Sequence, residues 1–141
     1  MKKIKFKNEF WCIVTARKNS KSIKRKNIVK IRGKELIKFS FNELSKLKKI
    51  VKKTIISTDD PTIKKITKKY KFEIFDRERK LCGDLVNSVD VVNDVLKKSL
   101  DIYGYLPKFF FLIQPTSIFL KSEHVINLMN KLKTGKFKSA Q

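Results

Sequence analysis

Hydrophobic residues along the chain fall into two rhythms, and their succession is the first clue to architecture. Residues 9–16 (E-F-W-C-I-V-T-A) are apolar without alternation, the pattern of a strand buried on both faces of a parallel sheet. A polar, basic loop follows over 17–27, then a short extended piece, 28–31, that ends at an Arg32-Gly33 turn. Over 34–48 the set Ile37, Phe41 and Leu44, with Leu36 and Leu47, recurs at three and four residues and predicts a helix. Residues 54–58 return to β-branched character. Asp59-Asp60-Pro61 then reads as a helix start, with carboxylate caps and proline in the first turn, and Ile63, Ile66 and Tyr70 form its buried stripe.

The alternation continues. Residues 72–75 predict a strand, and 76–87 an irregular polar segment containing Gly83. Val92, Val95, Leu96, Leu100 and Tyr103 give helical spacing over 88–103, with Asp90 and Asp94 near the end where the helix dipole favours acids. Pro107 precedes an apolar strand, 109–113, and a last helix over 121–133 carries Val125, Leu128, Met129 and Leu132. Strands alternating with helices predict an α/β sandwich around a mainly parallel sheet. No repeat or linker interrupts it, so residues 1–141 read as a single α/β domain.

Composition narrows the classes. A chain of 141 residues that is 41% hydrophobic, with eleven Phe, is too apolar for a disordered basic tail. The longest apolar runs, 10–14 and 109–113, are strand-sized and far short of a membrane span. The N-terminus M-K-K-I-K-F-K lacks the apolar core of a secretion signal, and Cys12 and Cys82 form neither a disulfide framework nor a metal motif. A cytoplasmic location is expected, with no membrane partner.

Thirty-five Lys and Arg against thirteen Asp and Glu give a net charge of +22, which raises the question of nucleic acid. Only five of the cations are Arg, whereas readers of bases favour Arg and interleave aromatics for stacking. The Phe residues sit mostly inside apolar segments, so a nucleic-acid partner is not expected. The charge is uneven: residues 1–53 hold nineteen cations and three acids.

Ligands of open α/β sheets bind beyond the carboxyl ends of the strands, which directs attention to 17–27, 57–60, 76–88 and 114–117. The first holds Arg17, Lys18, Lys21, Lys24, Arg25 and Lys26 with no acid, a composition suited to a polyphosphate. Neither G-x-G-x-x-G nor G-x-x-x-x-G-K-[ST] is present. Asp59 and Asp60 read as caps rather than metal ligands, and Asp84 as a residue that orders its loop. His124 reads as structural or surface, Cys12 as core, and Cys82 as a packing residue.

Residues 16–27, A-R-K-N-S-K-S-I-K-R-K-N, resemble the A-R-x-x-S-K-x-x-x-x-K-N loop of the acylneuraminate cytidylyltransferases, the enzymes that activate sialic acids. Four further matches follow in order: G-K-E-L-I at 33–37, I-S-T-D-D at 56–60, R-E-R-K-L-C-G-D at 77–84 with S-V-D-V-V at 88–92, and L-I-Q-P-T-S at 112–117. The resemblance implies a three-layer, Rossmann-like nucleotidyltransferase fold. It also implies CTP and a nonulosonic acid as substrates, giving a CMP-sugar and pyrophosphate, with Mg²⁺ as cofactor and a homodimer in full-length relatives. By the match, Arg17, Lys21 and Lys26 hold the triphosphate, with Lys21 and Arg17 nearest the chemistry. Ser20 and Asn27 hydrogen-bond phosphate, ribose or base; Arg77 and Ser88 select cytosine; Gln114 and Thr116 meet the acyl sugar. Enzymes that activate 3-deoxy-manno-octulosonate have an acid in a Q-x-D-x-P corner where Thr116 stands here, so the chain resembles the sialic-acid branch.

Two departures accompany the resemblance. The family's loop is rich in glycine and carries proline, where this chain has Lys18, Ser22 and Lys24. A left-handed backbone at Ser22 would cost on the order of 1 kcal/mol relative to glycine. The resemblance also stops near residue 140, before the strands, dimerisation element and Asp pair for Mg²⁺ of relatives, so the expectation is a domain truncated ahead of its metal ligands, with none in this chain. Two other readings stay open: a non-catalytic remnant or basic polyanion-binding protein, and a nucleotidyltransferase for another sugar acid.

Overall fold

In the computed structural model, which describes residues 3–136 and 138–139, strands and helices alternate as the sequence predicts. The elements are β1 (Phe6–Thr15), β2 (Lys30–Ile31), β3 (Lys34–Glu35), α1 (Leu36–Ser45), β4 (Lys53–Thr58) and α2 (Pro61–Lys69). They continue with β5 (Glu73–Asp76), α3 (Ser88–Tyr103), β6 (Leu106–Ile113) and α4 (Ser122–Lys133). Four strands form one parallel sheet in the order β5-β4-β1-β6.

β1 is central, and every residue from Phe10 to Val14 is buried, as its unbroken apolar run requires. Its alternate side chains serve two cores. Phe10, Cys12 and Val14 meet α1, α2 and α4 through Ile37, Phe41, Ile63 and Val125. Trp11 and Ile13 point to the other side, where α3 alone covers the sheet with Val92 and Val95. Burial pushes the Cys12 thiol up to about 12, so it packs as a small apolar group.

The helix ends follow their chemistry. Asp60 caps α2 by accepting from the Thr62 and Ile63 amides at 2.7 and 3.4 Å, with Pro61 at the first helical position. Asn87 caps α3 through the Asp90 amide at 2.9 Å, and Gly104 ends it at φ 73°, a left-handed turn that glycine adopts without strain. His124 Nδ1 accepts from the Lys121 amide at 3.2 Å, so the one histidine helps to start α4.

Several details differ from expectation. β1 begins at Phe6, because its first residues pair with the start of β6; a bulge between Lys7 and Phe10 absorbs the change in register. Lys34 and Glu35 form β3, paired with β2 across the Arg32-Gly33 turn, so α1 starts at Leu36. Left-handed backbone in the loop after β1 falls at Arg25 (φ 52°) and not at Ser22, so no glycine is needed at Ser22.

Candidate active site

From β1 the chain steps through β4 to β5, then returns to the opposite side of β1 with β6. The connections after β1 and β6 therefore diverge, and a crevice opens at their carboxyl ends, the switch point at which doubly wound sheets bind ligands. The crevice is a cleft of about 250 Å³. β1 and its loop contribute Thr15, Arg17, Ser20, Lys26 and Asn27; the segment after β6 contributes Gln114, Pro115 and Thr116. Arg77 comes from the end of β5, and Gly83, Asn87 and Ser88 close the remaining side.

The basic loop is held in shape by bonds that its sequence alone does not announce. The Lys18 amide donates to Asp59 Oδ1 at 2.7 Å, so Asp59 ties the loop to the end of β4 and is not a helix cap. Asn27 Nδ2 donates to the Arg17 carbonyl at 2.9 Å and joins the loop's two ends. Arg25 turns inward: its Nη2 lies 3.1 Å from both oxygens of the buried Asp60 and 2.9 Å from Thr62 Oγ1. That grip fixes the left-handed backbone at Arg25 and withdraws one of the six loop cations from any ligand.

Eight of the nine residues singled out by sequence line the cleft: Arg17, Ser20, Lys26, Asn27, Arg77, Ser88, Gln114 and Thr116. Lys21 does not; it stands exposed on the same loop, outside the lining. Asn27 spends one N–H on the Arg17 carbonyl, which leaves its second N–H to donate and its oxygen to accept from a ligand. Sequence reasoning missed Thr15, and it marked the segments that hold Asn87 and Ser57 without singling out either residue. Thr15 and Ser57 are polar residues at strand ends, and Asn87 is the residue before a helix start, so each carried a readable signal.

The cleft's electrostatics are one-sided. Arg17, Lys26 and Arg77 line it, with no carboxylate among the lining residues. Arg77 is 8% exposed, and its protein partners are the Ser57 hydroxyl at 3.4 Å and the Ser57 carbonyl at 3.3 Å. Burial holds its pKa below the usual arginine value. A buried guanidinium that meets only neutral oxygens is poorly compensated, so an electron-rich ligand group beside it would be strongly favoured. Arg17 Nη1 reaches Asp84 Oδ1 at 2.8 Å and the Cys82 carbonyl at 3.3 Å, contacts that tie the loop after β1 to the loop after β5.

The carboxylates near the cleft do not assemble a metal centre. Asp59 holds a backbone amide, Asp60 caps a helix and holds Arg25, and Asp84 holds Arg17. Among the described residues no group of three or more His, Cys, Asp or Glu is placed to bind an ion. These residues do not fit Mg²⁺, and no chemical step is assigned through it. Cys82 lies beside the cleft with its thiol donating to the Glu78 carbonyl at 3.3 Å, and burial raises its pKa, which makes it a weak nucleophile.

Comparison with known proteins places this geometry in context. Residues 11–140 match a family model described as cytidylyltransferase. Among solved structures, the chain is similar to a CMP-2-keto-3-deoxy-manno-octonic acid synthetase complexed with CTP. The TM-score is 0.69 at 16% identity, over 89% of this chain and 48% of that one. A cytidylyltransferase from Leptospira borgpetersenii gives a TM-score of 0.65 at 12% identity, over 91% and 50%. A 4-diphosphocytidyl-2C-methyl-D-erythritol synthase gives 0.69 at 13% identity, over 93% and 56%. At these identities the likeness is one of fold, and the chain spans about half the length of those relatives. No curated protein matches it.

Proposed function

The chain belongs to the cytidylyltransferase family, and from that premise we propose that its cleft binds CTP for transfer of the cytidylyl group to a sialic-acid-like nonulosonic acid. In this reaction the anomeric hydroxyl oxygen of the sugar attacks the α-phosphorus and loses its proton. The bond from that phosphorus to the bridging oxygen breaks, and pyrophosphate leaves with the electron pair. Such a transfer depends on positioning and on neutralising charge more than on covalent help.

The observation that carries the reading is the cleft's lining of Arg17, Lys26 and Arg77 without a carboxylate, at the switch point of the sheet. Arg17 and Lys26 take the triphosphate. Lys21, on the same loop, reaches the reacting phosphate when its flexible stem swings inward over a bound anion. Ser20 donates its hydroxyl to a phosphate oxygen, and Asn27 accepts from ribose or base. Arg77 and Ser88 address the cytosine, whose O2 is the electron-rich group that a buried guanidinium favours. Gln114 and Thr116, at the end of β6, face the sugar. Thr116 in place of an acid is what favours a sialic-acid-like substrate over an octulosonate.

The test is nucleotide selectivity by calorimetry. CTP should bind more tightly than ATP or GTP, and Lys21→Ala should weaken CTP binding. Equal affinity for all the nucleotides would refute the assignment.

A further inference from the structure

The second basic region of the molecule lies at the opposite pole, where the amino ends of the parallel strands meet the ends of α1 and α4. A cleft of about 550 Å³ there is lined by Lys48, Lys49, Lys52 and Lys133 around Phe10 and Ile50. Beside it, Lys108 and Lys133 line a smaller cleft with Asn8.

The acids nearest this pole are already engaged. Glu9 accepts from Trp11 Nε1 and the Tyr105 hydroxyl, at 3.1 and 3.2 Å, and Glu73 holds Lys53 at 3.0 Å. Lys49, Lys52, Lys108 and Lys133 have no ion-pair partner among the described residues. Lysines at helix C-termini are accounted for by the helix dipole, but Lys52 and Lys108 sit at strand starts and serve no helix end.

Large apolar side chains are exposed among these cations: Ile4 at 47%, Phe6 at 62% and Ile50 at 47%. Every arginine is elsewhere, in the connections after β1 and β5 or in the turn between β2 and β3. A nucleic-acid surface would favour arginine forks and open aromatic platforms. Lysines mixed with protruding isoleucine and phenylalanine match an anionic bilayer instead, where the cations meet lipid headgroups and the apolar tips enter the interface.

We propose that the amino pole is a docking face for an anionic lipid bilayer, which leaves the nucleotide cleft at the far end of the strands open to solvent. No helix among the described residues is long and apolar enough to cross a membrane, and surface attachment needs none. The sequence pointed away from a membrane partner because it offers no span.

Vesicle co-sedimentation of the whole chain tests this, with phosphatidylcholine alone, with phosphatidylcholine containing phosphatidylglycerol, and with poly(U) as the competing polyanion. The chain should sediment only with the anionic vesicles. Lys49→Gln/Lys52→Gln/Lys108→Gln should weaken that partition on the order of a hundredfold, from roughly fivefold per lysine near an anionic surface. A control of equal charge change, Lys30→Gln/Lys65→Gln/Lys97→Gln, should weaken it less than fivefold. Phe6→Ser should abolish the part of the binding that survives high salt. Equal losses in the two triple variants would overturn the proposal, as would tighter binding to poly(U) than to the anionic vesicles. CTP binding should be unchanged in all three variants, so failure of this proposal and failure of the nucleotide assignment are separately visible.

Discussion

Arg17 faces two claims on its guanidinium, and the competition has a measurable size. In the structure it pairs with Asp84 at 2.8 Å, with side chains 27% and 45% exposed. A triphosphate that approaches Arg17 competes with Asp84 for its charge. An ion pair this exposed contributes about 0.2–1 kcal/mol, and every 1.4 kcal/mol is tenfold in affinity. Asp84→Asn keeps the side chain's shape and removes its charge, so CTP should bind about 1.4- to 5-fold more tightly in calorimetry at low salt. The advantage should shrink as ionic strength rises, because the pair it removes is screened by solvent. Weaker CTP binding by Asp84→Asn would refute the reasoning, since it would make the carboxylate a direct participant in the liganded cleft.

Three further outcomes follow from the packing. Asp60→Ala removes the α2 cap and the partner of Arg25 at once; because Arg25 is partly exposed, the expected loss is about 2–3 kcal/mol in urea denaturation, below that of a sealed pair. Glu43 accepts from Lys46 at 2.7 Å and from the Ser122 amide at 2.9 Å, which together hold its carboxyl below the usual value. A depressed folded pKa contributes stability that is full above the unfolded value near about 4.3 and is lost as pH falls through the folded value. The stability gap between the native chain and Glu43→Gln should therefore be constant above about pH 5 and close on acidification, and a gap independent of pH would contradict this. Cys12 should react with a thiol reagent only in denaturant, leaving Cys82 as the one thiol titrated in the folded chain; two reactive thiols in the folded state would show that β1 is less enclosed than described.

The elements that were legible in sequence share one property: their periodicity is long enough to outlast local exceptions. α3 occupies 88–103 as predicted, because five apolar positions at helical spacing and two acids near its start agree. β1 and β4 were legible because strands buried on both faces need unbroken apolar runs. The β2–β3 hairpin was not, since strands of two residues carry no rhythm. The start of β1 at Phe6 was hidden as well, because K-F-K-N is polar along an edge where only β6 pairs with it.

The site divides along similar lines. Residues at the ends of long strands, Arg17 and Gln114, are positioned by the sheet itself, so locating the strands located them. Direction within the loop was not legible. Arg25 and Lys26 are adjacent and alike in charge, yet one folds onto Asp60, thirty-five residues away, while the other lines the cleft. Asp59 and Asp60 likewise read as equivalent and are not; one holds the loop and the other the helix.

The most direct test of the cleft assignment is a ¹⁵N-resolved titration of the chain with CTP, read against Arg77→Met. Amide shifts should concentrate at Thr15, Arg17, Arg77, Ser88 and Gln114, and affinity should fall about ten- to a hundredfold when the buried guanidinium is removed. Shifts centred on Asn8, Lys52 and Lys108 at the opposite pole, or full CTP affinity in Arg77→Met, would contradict the assignment.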